Sequence, residues 1–137
     1  MTISSFDDLL RAAREQPEPQ RLLFVFVGAE LPDDSSAQQR DHFQAGRGGT
    51  LTPLMCVDKT PSELEGFETL LEESRQFGTD WVIVFAAALA GHAGRAPTSA
   101  DAEAPLQKMV EAIKAGFHRS YIPFDRHGEP VLFANLE

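Results

Sequence analysis

Two hydrophobic periods divide this chain. Over residues 81–90 (WVIVFAAALA) and 21–29 (RLLFVFVGA) apolar residues run almost unbroken and are rich in β-branched and aromatic types. Runs of that length without polar alternation predict strands buried on both faces of a sheet. A third run, 51–57 (LTPLMCV), contains Pro53. Proline has no N–H to give to a ladder, so this run predicts an edge strand.

The second period is helical. Phe6, Leu9, Leu10 and Ala13 fall at i, i+3, i+4, i+7, with Ser5 placed to cap and Asp7 and Asp8 in the first turn. They predict a helix over 4–15, stopped by Pro17 and Pro19. Thr60, Pro61 and Glu63 have the form of a capping box with proline at the first helical position. A helix is expected from there to about Phe77, with Leu64, Phe67, Leu70 and Leu71 inward and Gly78 as its stop. Leu106, Met109, Val110 and Ile113 predict a third helix over 105–115.

The remaining segments are connections. A short polar helix is expected over 36–45, anchored by Phe43. The stretch 91–103, rich in Gly, Ala, Pro and Ser, predicts a mobile loop. Residues 121–124 and 131–134 flank an aspartate and a glycine in DRHGEP, the pattern of a terminal β-hairpin. The order of elements implies one α/β domain over 1–137. It predicts a three-layer α/β/α sandwich with a mixed sheet: parallel core strands plus the C-terminal β-hairpin.

Composition narrows the function classes. The chain has 137 residues, 12 Lys and Arg against 21 Asp and Glu, and a formal charge of −9. An acidic surface repels phosphate backbones and anionic lipid, so neither nucleic acid nor membrane is an expected partner. The longest apolar run is too short to span a bilayer. The segment MTISSFDDLL has neither a basic nor a long apolar region, so no secretory signal is read and a cytoplasmic location is expected. Cys56 stands alone, which excludes an intrachain disulfide and a Cys-x-x-Cys site. His42, His92, His118 and His127 are scattered without ligand spacing. The clusters AGRGGT and AGRAPT lack the Gly-Lys-Ser/Thr ending of a phosphate loop and read as turns. No cofactor is expected.

Parallel strands would bring the loops that follow them to one edge of the sheet. There Asp33 and Asp34 would meet Asp58, Lys59, Thr60, His92 and Arg95. Lys59, His92 and Arg95 could hold a carboxylate or phosphate beside helix N-termini. Every α/β domain has such polar loops, and helix capping is the preferred account. Cys56, flanked by Met55 and Val57, is expected to be a buried, inert thiol. Asp58 and Asp125 are read as cap and turn residues.

The runs LLFVFVGAELPDD, GGTLTPLMCVDKTPSELEGFETLLEES, WVIVFAAALAG and PLQKMVEAIKAG resemble a family of small proteobacterial proteins labelled "ribonucleotide reductase subunit alpha". The resemblance covers almost the whole chain. It implies that label's activity, but a reductase catalytic subunit uses several cysteines on a far larger barrel. With Cys56 alone, no catalytic residue carries over. The strand and helix order also looks faintly like a thioredoxin-type domain, with Ile122-Pro123 before the hairpin, but the paired cysteines of that fold are absent.

With no convergent catalytic set, the leading expectation is a non-enzymatic protein-interaction module with an unknown protein partner or self-association. Its expected surface is the hairpin: Arg119, Tyr121, Phe124 and Phe133. The alternative is a protein that binds a small anionic ligand, or an enzyme, using the strand-end loops.

Overall fold

In the computed structural model, residues 5–30, 50–78, 80–115 and 121–131 are described, with 29, 30, 50 and 51 described as backbone only. The expected helix over 36–45, and Asp33, Asp34, His42, His118, Arg119 and Phe133, lie outside the described residues.

Helix α1 (Phe6–Arg14) forms as its pattern requires: Ser5 caps it, its hydroxyl accepting from the Asp8 N–H, and Phe6, Leu9, Leu10 and Ala13 are buried. Strand β1 (Gln20–Glu30) follows, then β2 (Thr50–Lys59) and a 3₁₀ turn (Pro61–Glu63). Helix α2 (Phe67–Arg75), β3 (Ile83–Ala90), helix α3 (Ser99–Lys114) and β4 (Ile122–Phe124) complete the described elements.

The strands form one sheet in the order β2-β1-β3-β4, and every pairing is antiparallel. This corrects the expected mixed sheet with a parallel core; the α/β class itself stands. β2 and β3 do run in the same direction, but β1 lies between them in the opposite sense. The connection through α2 therefore crosses over β1 instead of joining neighbours. An unbroken apolar run reports burial on both faces and carries no information about strand direction, because either kind of interior strand is covered above and below.

Helices cover both faces of the sheet. Phe6, Leu9 and Leu10 of α1 and Leu70 of α2 pack with Phe24, Phe26, Val84 and Phe124 on one side. Ala102, Leu106, Met109 and Ile113 of α3 pack with Leu23, Val25, Val27 and Phe85 on the other. β1 and β3 are the interior strands, and Leu22 to Val27 and Val84 to Ala86 are all buried, as their sequence predicts. The run 81–90 is not buried throughout, however, since Val82, Ala88 and Ala90 are exposed. Pro53 lies on an edge strand, also as predicted.

Two helices differ from their sequence pattern. Glu63 accepts from the Thr60 N–H and hydroxyl, yet only a 3₁₀ turn follows. Leu64 then turns extended and is buried, while Arg14 of α1 donates to the carbonyls of Pro61 and Leu64. Those carbonyls are taken by a tertiary partner, so α2 starts afresh after Gly66. Helix α3 begins six residues before Pro105, which lies inside it. The Thr98 hydroxyl accepts from the Asp101 N–H, and the Asp101 carboxylate accepts from the Thr98 N–H. This capping box starts the helix, and its burial against the sheet outweighs the N–H that Pro105 withholds.

The C-terminal hairpin turn is present. Phe124 bridges to Pro130, and the Asp125 side chain accepts from the backbone of His127 and Glu129. Among the described residues, no helix is long and apolar enough to cross a membrane.

Candidate functional site

Because β2 and β3 run alike, their C-terminal ends meet at one end of the sheet, beside the start of β1. Leu22 pairs with Lys59 there, and Gln20 with Ala90. Asp58, Lys59, Thr60, His92 and Arg95 therefore do share that end, although the expected parallel core does not exist. β1 leaves from the opposite end, where Glu30 pairs with Thr50.

Sharing an end does not bring these side chains together. Neighbours on a strand point to opposite faces. Lys59 lies on the α1/α2 face and is paired with Glu73 of α2 at 2.7 Å. Asp58 lies on the α3 face, where Arg21 and Ser99 donate to its carboxylate, the Ser99 hydroxyl at 2.8 Å. Arg21 also donates to the Ser99 hydroxyl and the Pro97 carbonyl. Burial pushes the Asp58 carboxyl up, but the hydrogen bonds from Ser99 and Arg21, with the charge of Arg21, outweigh it and hold the group below the usual aspartate range. This cluster ties the first turn of α3 to β1 and β2. Thr60 is occupied locally with Glu63, whose carboxyl is also held low by the Thr60 N–H and hydroxyl.

His92 and Arg95 do come together. They face each other across a tight turn in which each donates its backbone N–H to the other's carbonyl at 3.0 Å. The two residues between them, Ala93 and Gly94, have φ of 53° and 77°. The stretch expected to be a mobile loop is instead held in place. The Gly91 N–H donates to the Pro19 carbonyl, the Gly94 N–H to Glu18, and Arg21 to Pro97. His92, Arg95, Thr98 and Asp101 line a cavity of about 460 Å³ with an apolar wall of Leu89 and Pro97.

Of the expected hairpin surface, Tyr121 and Phe124 are described, and Phe124 is not exposed. Phe124 is fully buried between the sheet and Phe6, their rings 5.4 Å apart, because its register opposite Val84 turns it into the core. Tyr121 is half-buried against the α3 core. Cys56 is also corrected: it is exposed, on the α3 face of an edge strand.

Sequence reasoning missed a different apolar surface. Phe77, Val82 and Leu54, exposed by 60%, 41% and 39%, are the exposed large hydrophobics of the described residues. Phe26 pairs with Met55 and Val27 with Pro53, which leaves Leu54 as the extra residue of a β-bulge. Its side chain lies over Gly28, where a Cβ would come within 3.1 Å of it. Val82 adjoins the same glycine, donating its N–H to the Val27 carbonyl. Phe77 follows α2 at the rim of a small slot of about 120 Å³ floored by Phe26, Met55 and Leu70. Phe77 lies past the inward positions of α2 and was legible as a surface residue, whereas Val82 falls in the unbroken run 81–90, where burial is expected.

The β2 edge beside this surface is ill suited to accept another strand. Pro53 offers no donor and the bulge at Leu54 breaks the regular ladder, two devices that discourage edge pairing. Among the described residues no cluster of three or more His, Cys, Asp or Glu suits a metal ion. No family model, curated protein or solved structure matches the chain.

Proposed function

We propose that this chain is a non-enzymatic protein-interaction domain that engages its partner through the α1/α2 face of the sheet around Gly28. The observation that carries the reading is the exposure of three large apolar side chains: Leu54 packed over Gly28, Val82 bonded through its backbone to Val27, the residue before that glycine, and Phe77 at the rim of the slot that Met55 lines. Apolar side chains scattered singly over a surface need no explanation, whereas a group of them beside a cavity suits an aromatic or aliphatic anchor from another protein. Contact is made by side chains on a face, since Pro53 and the bulge work against strand addition. The reductase label contributes nothing to this reading: its chemistry needs several thiols, and Cys56 points to the other face.

Self-association is the first form to test. Mass measured by light scattering across a concentration series should rise toward twice the chain mass, and Phe77→Ser should abolish the rise while leaving the circular dichroism spectrum unchanged. If the mass stays that of one chain, affinity capture comparing the natural chain with Phe77→Ser separates a different partner from none. Recovery of the same proteins by both would sink the proposal.

A further inference from the structure

Beyond the interaction face, we propose that the cavity beside the β3–α3 turn binds a small monocarboxylate with an apolar body. Three observations converge on that chemistry.

The first is an uncommitted cation. Arg11, Arg14, Arg21, Lys59 and Arg75 each meet a carboxylate or backbone carbonyl, and Arg126 lies over the ring of Trp81. Among the described residues Lys108 and Lys114 of α3 and Arg95 have no such partner, and of these three only Arg95 lines the cavity. In a chain of net charge −9, a guanidinium without a carboxylate beside a cavity is worth accounting for. Its planar fork matches a carboxylate through two parallel hydrogen bonds.

The second is preorganisation. The turn that carries His92 and Arg95 is closed by two reciprocal backbone hydrogen bonds and tied to Glu18 and Pro19. Gly91 fits because a Cβ there would lie 2.1 Å from the Arg95 carbonyl oxygen, so the backbone on both sides of the turn is tightly packed. A ligand meeting Arg95 would not have to order a loose loop first.

The third decides between kinds of anion. Asp101 also lines the cavity, its carboxylate engaged with the Thr98 N–H. Its negative charge opposes a dianion such as phosphate more than a monoanion. His92 and Thr98 are the other polar residues of the wall, and Leu89, Ala90, Ala96 and Pro97 form its apolar part around a volume of about 460 Å³. That volume is in the range of small-ligand clefts, and the cavity is open to solvent along the exposed residues Ala90, His92, Arg95, Ala96, Thr98 and Asp101. One carboxylate on Arg95 and a hydrocarbon body along Leu89 and Pro97 satisfy all three.

The test titrates the full chain with butyrate, isovalerate, hexanoate and octanoate, following amide chemical shifts and thermal stability. Hexanamide and inorganic phosphate serve as controls. At least one carboxylate should saturate, with shifts centred on residues 89–101, and the amide should not. Arg95→Gln, at an exposed position, should keep the fold and weaken binding about tenfold or more, as expected for losing a charged hydrogen-bond pair. No saturable response to any of the four acids, equal affinity in Arg95→Gln, or tighter binding of phosphate would each overturn the proposal. None of these outcomes bears on the mass and capture experiments at Phe77, which lies elsewhere on the molecule.

Discussion

The indole N–H of Trp81 donates to the Ser74 hydroxyl at 2.9 Å, and that hydroxyl donates in turn to the Leu71 carbonyl at 2.6 Å. Both residues are buried to 1% exposure, so this relay joins the end of α2 to the start of β3 away from solvent. A buried donor without an acceptor costs more than a hydrogen bond gains. Ser74→Ala should therefore destabilise the fold by about 1–3 kcal/mol. Trp81→Phe in the same background should recover part of the polar penalty while losing ring contacts with Phe26 and Phe67. Chemical denaturation of the four proteins gives the coupling between the two sites, and an additive double mutant would show that the relay contributes nothing.

Much of this arrangement was legible in the residues. The 3.6-residue spacing of Phe6, Leu9, Leu10 and Ala13 identified α1 and its buried face, and the unbroken runs identified both interior strands. Direction was not legible, because Val25 and Phe85 are apolar in either kind of sheet. Cys56 was misplaced although its neighbours held the answer. In Met55-Cys-Val-Asp58 the first and third residues pack on the core while Cys56 is exposed and Asp58 is partly so. That is the alternation of a strand covered more fully on one face. The start of α3 was also written in Thr98 and Asp101, but Pro105 drew the boundary away from them. At the cavity His92 and Arg95 were legible as candidates. Lys59 was not separable from them, because only the register with Leu22 places it on the opposite face.

Gly91 and Ala93, two residues apart, should respond in opposite directions. A Cβ at Gly91 would lie 2.1 Å from the Arg95 oxygen and 2.8 Å from the Pro19 oxygen, both backbone atoms that cannot swing away. Gly91→Ala should cost about 2–4 kcal/mol, in the range of severe strain mutations. Ala93 holds φ of 53°, a left-handed conformation that disfavours a Cβ. Ala93→Gly should stabilise by up to about 1 kcal/mol, the relief being reduced by the greater freedom of glycine in the unfolded chain. Thermal denaturation of both variants checks the pair, and a loss of stability in Ala93→Gly would contradict the strain argument.

Exposure of Cys56 predicts ready chemistry without a catalytic role. A thiol-specific disulfide reagent should modify the native protein at a rate within about tenfold of that in denaturant, because accessibility to the reagent limits a buried thiol. Cys56→Ser should change stability by less than about 0.5 kcal/mol, as for surface substitutions generally. Strong protection in the native state would mean that this thiol is covered in solution.

Acid should loosen the junction between α3 and the sheet before the rest of the core. The Asp58 carboxyl is held below its ordinary value in the folded chain, so the native state favours its ionised form. Its contribution is therefore complete above the unfolded value near ~4, and is lost as pH falls through the lower folded value. Asp58→Asn keeps the size of the side chain but removes the ion pair with Arg21 and weakens the acceptor for Ser99. At neutral pH it should destabilise by about 1–3 kcal/mol. The gap between the two proteins should then narrow as the medium is acidified below pH ~4, because protonation makes the natural side chain neutral as well. Glu63 titrates in both proteins and cancels from the difference. Unfolding curves at a series of pH values give this difference directly, with amide exchange at Ser99 to Ala102 reporting the local opening. A gap that stays constant to pH ~2 would mean that the carboxylate charge of Asp58 does not hold α3 to β1 and β2.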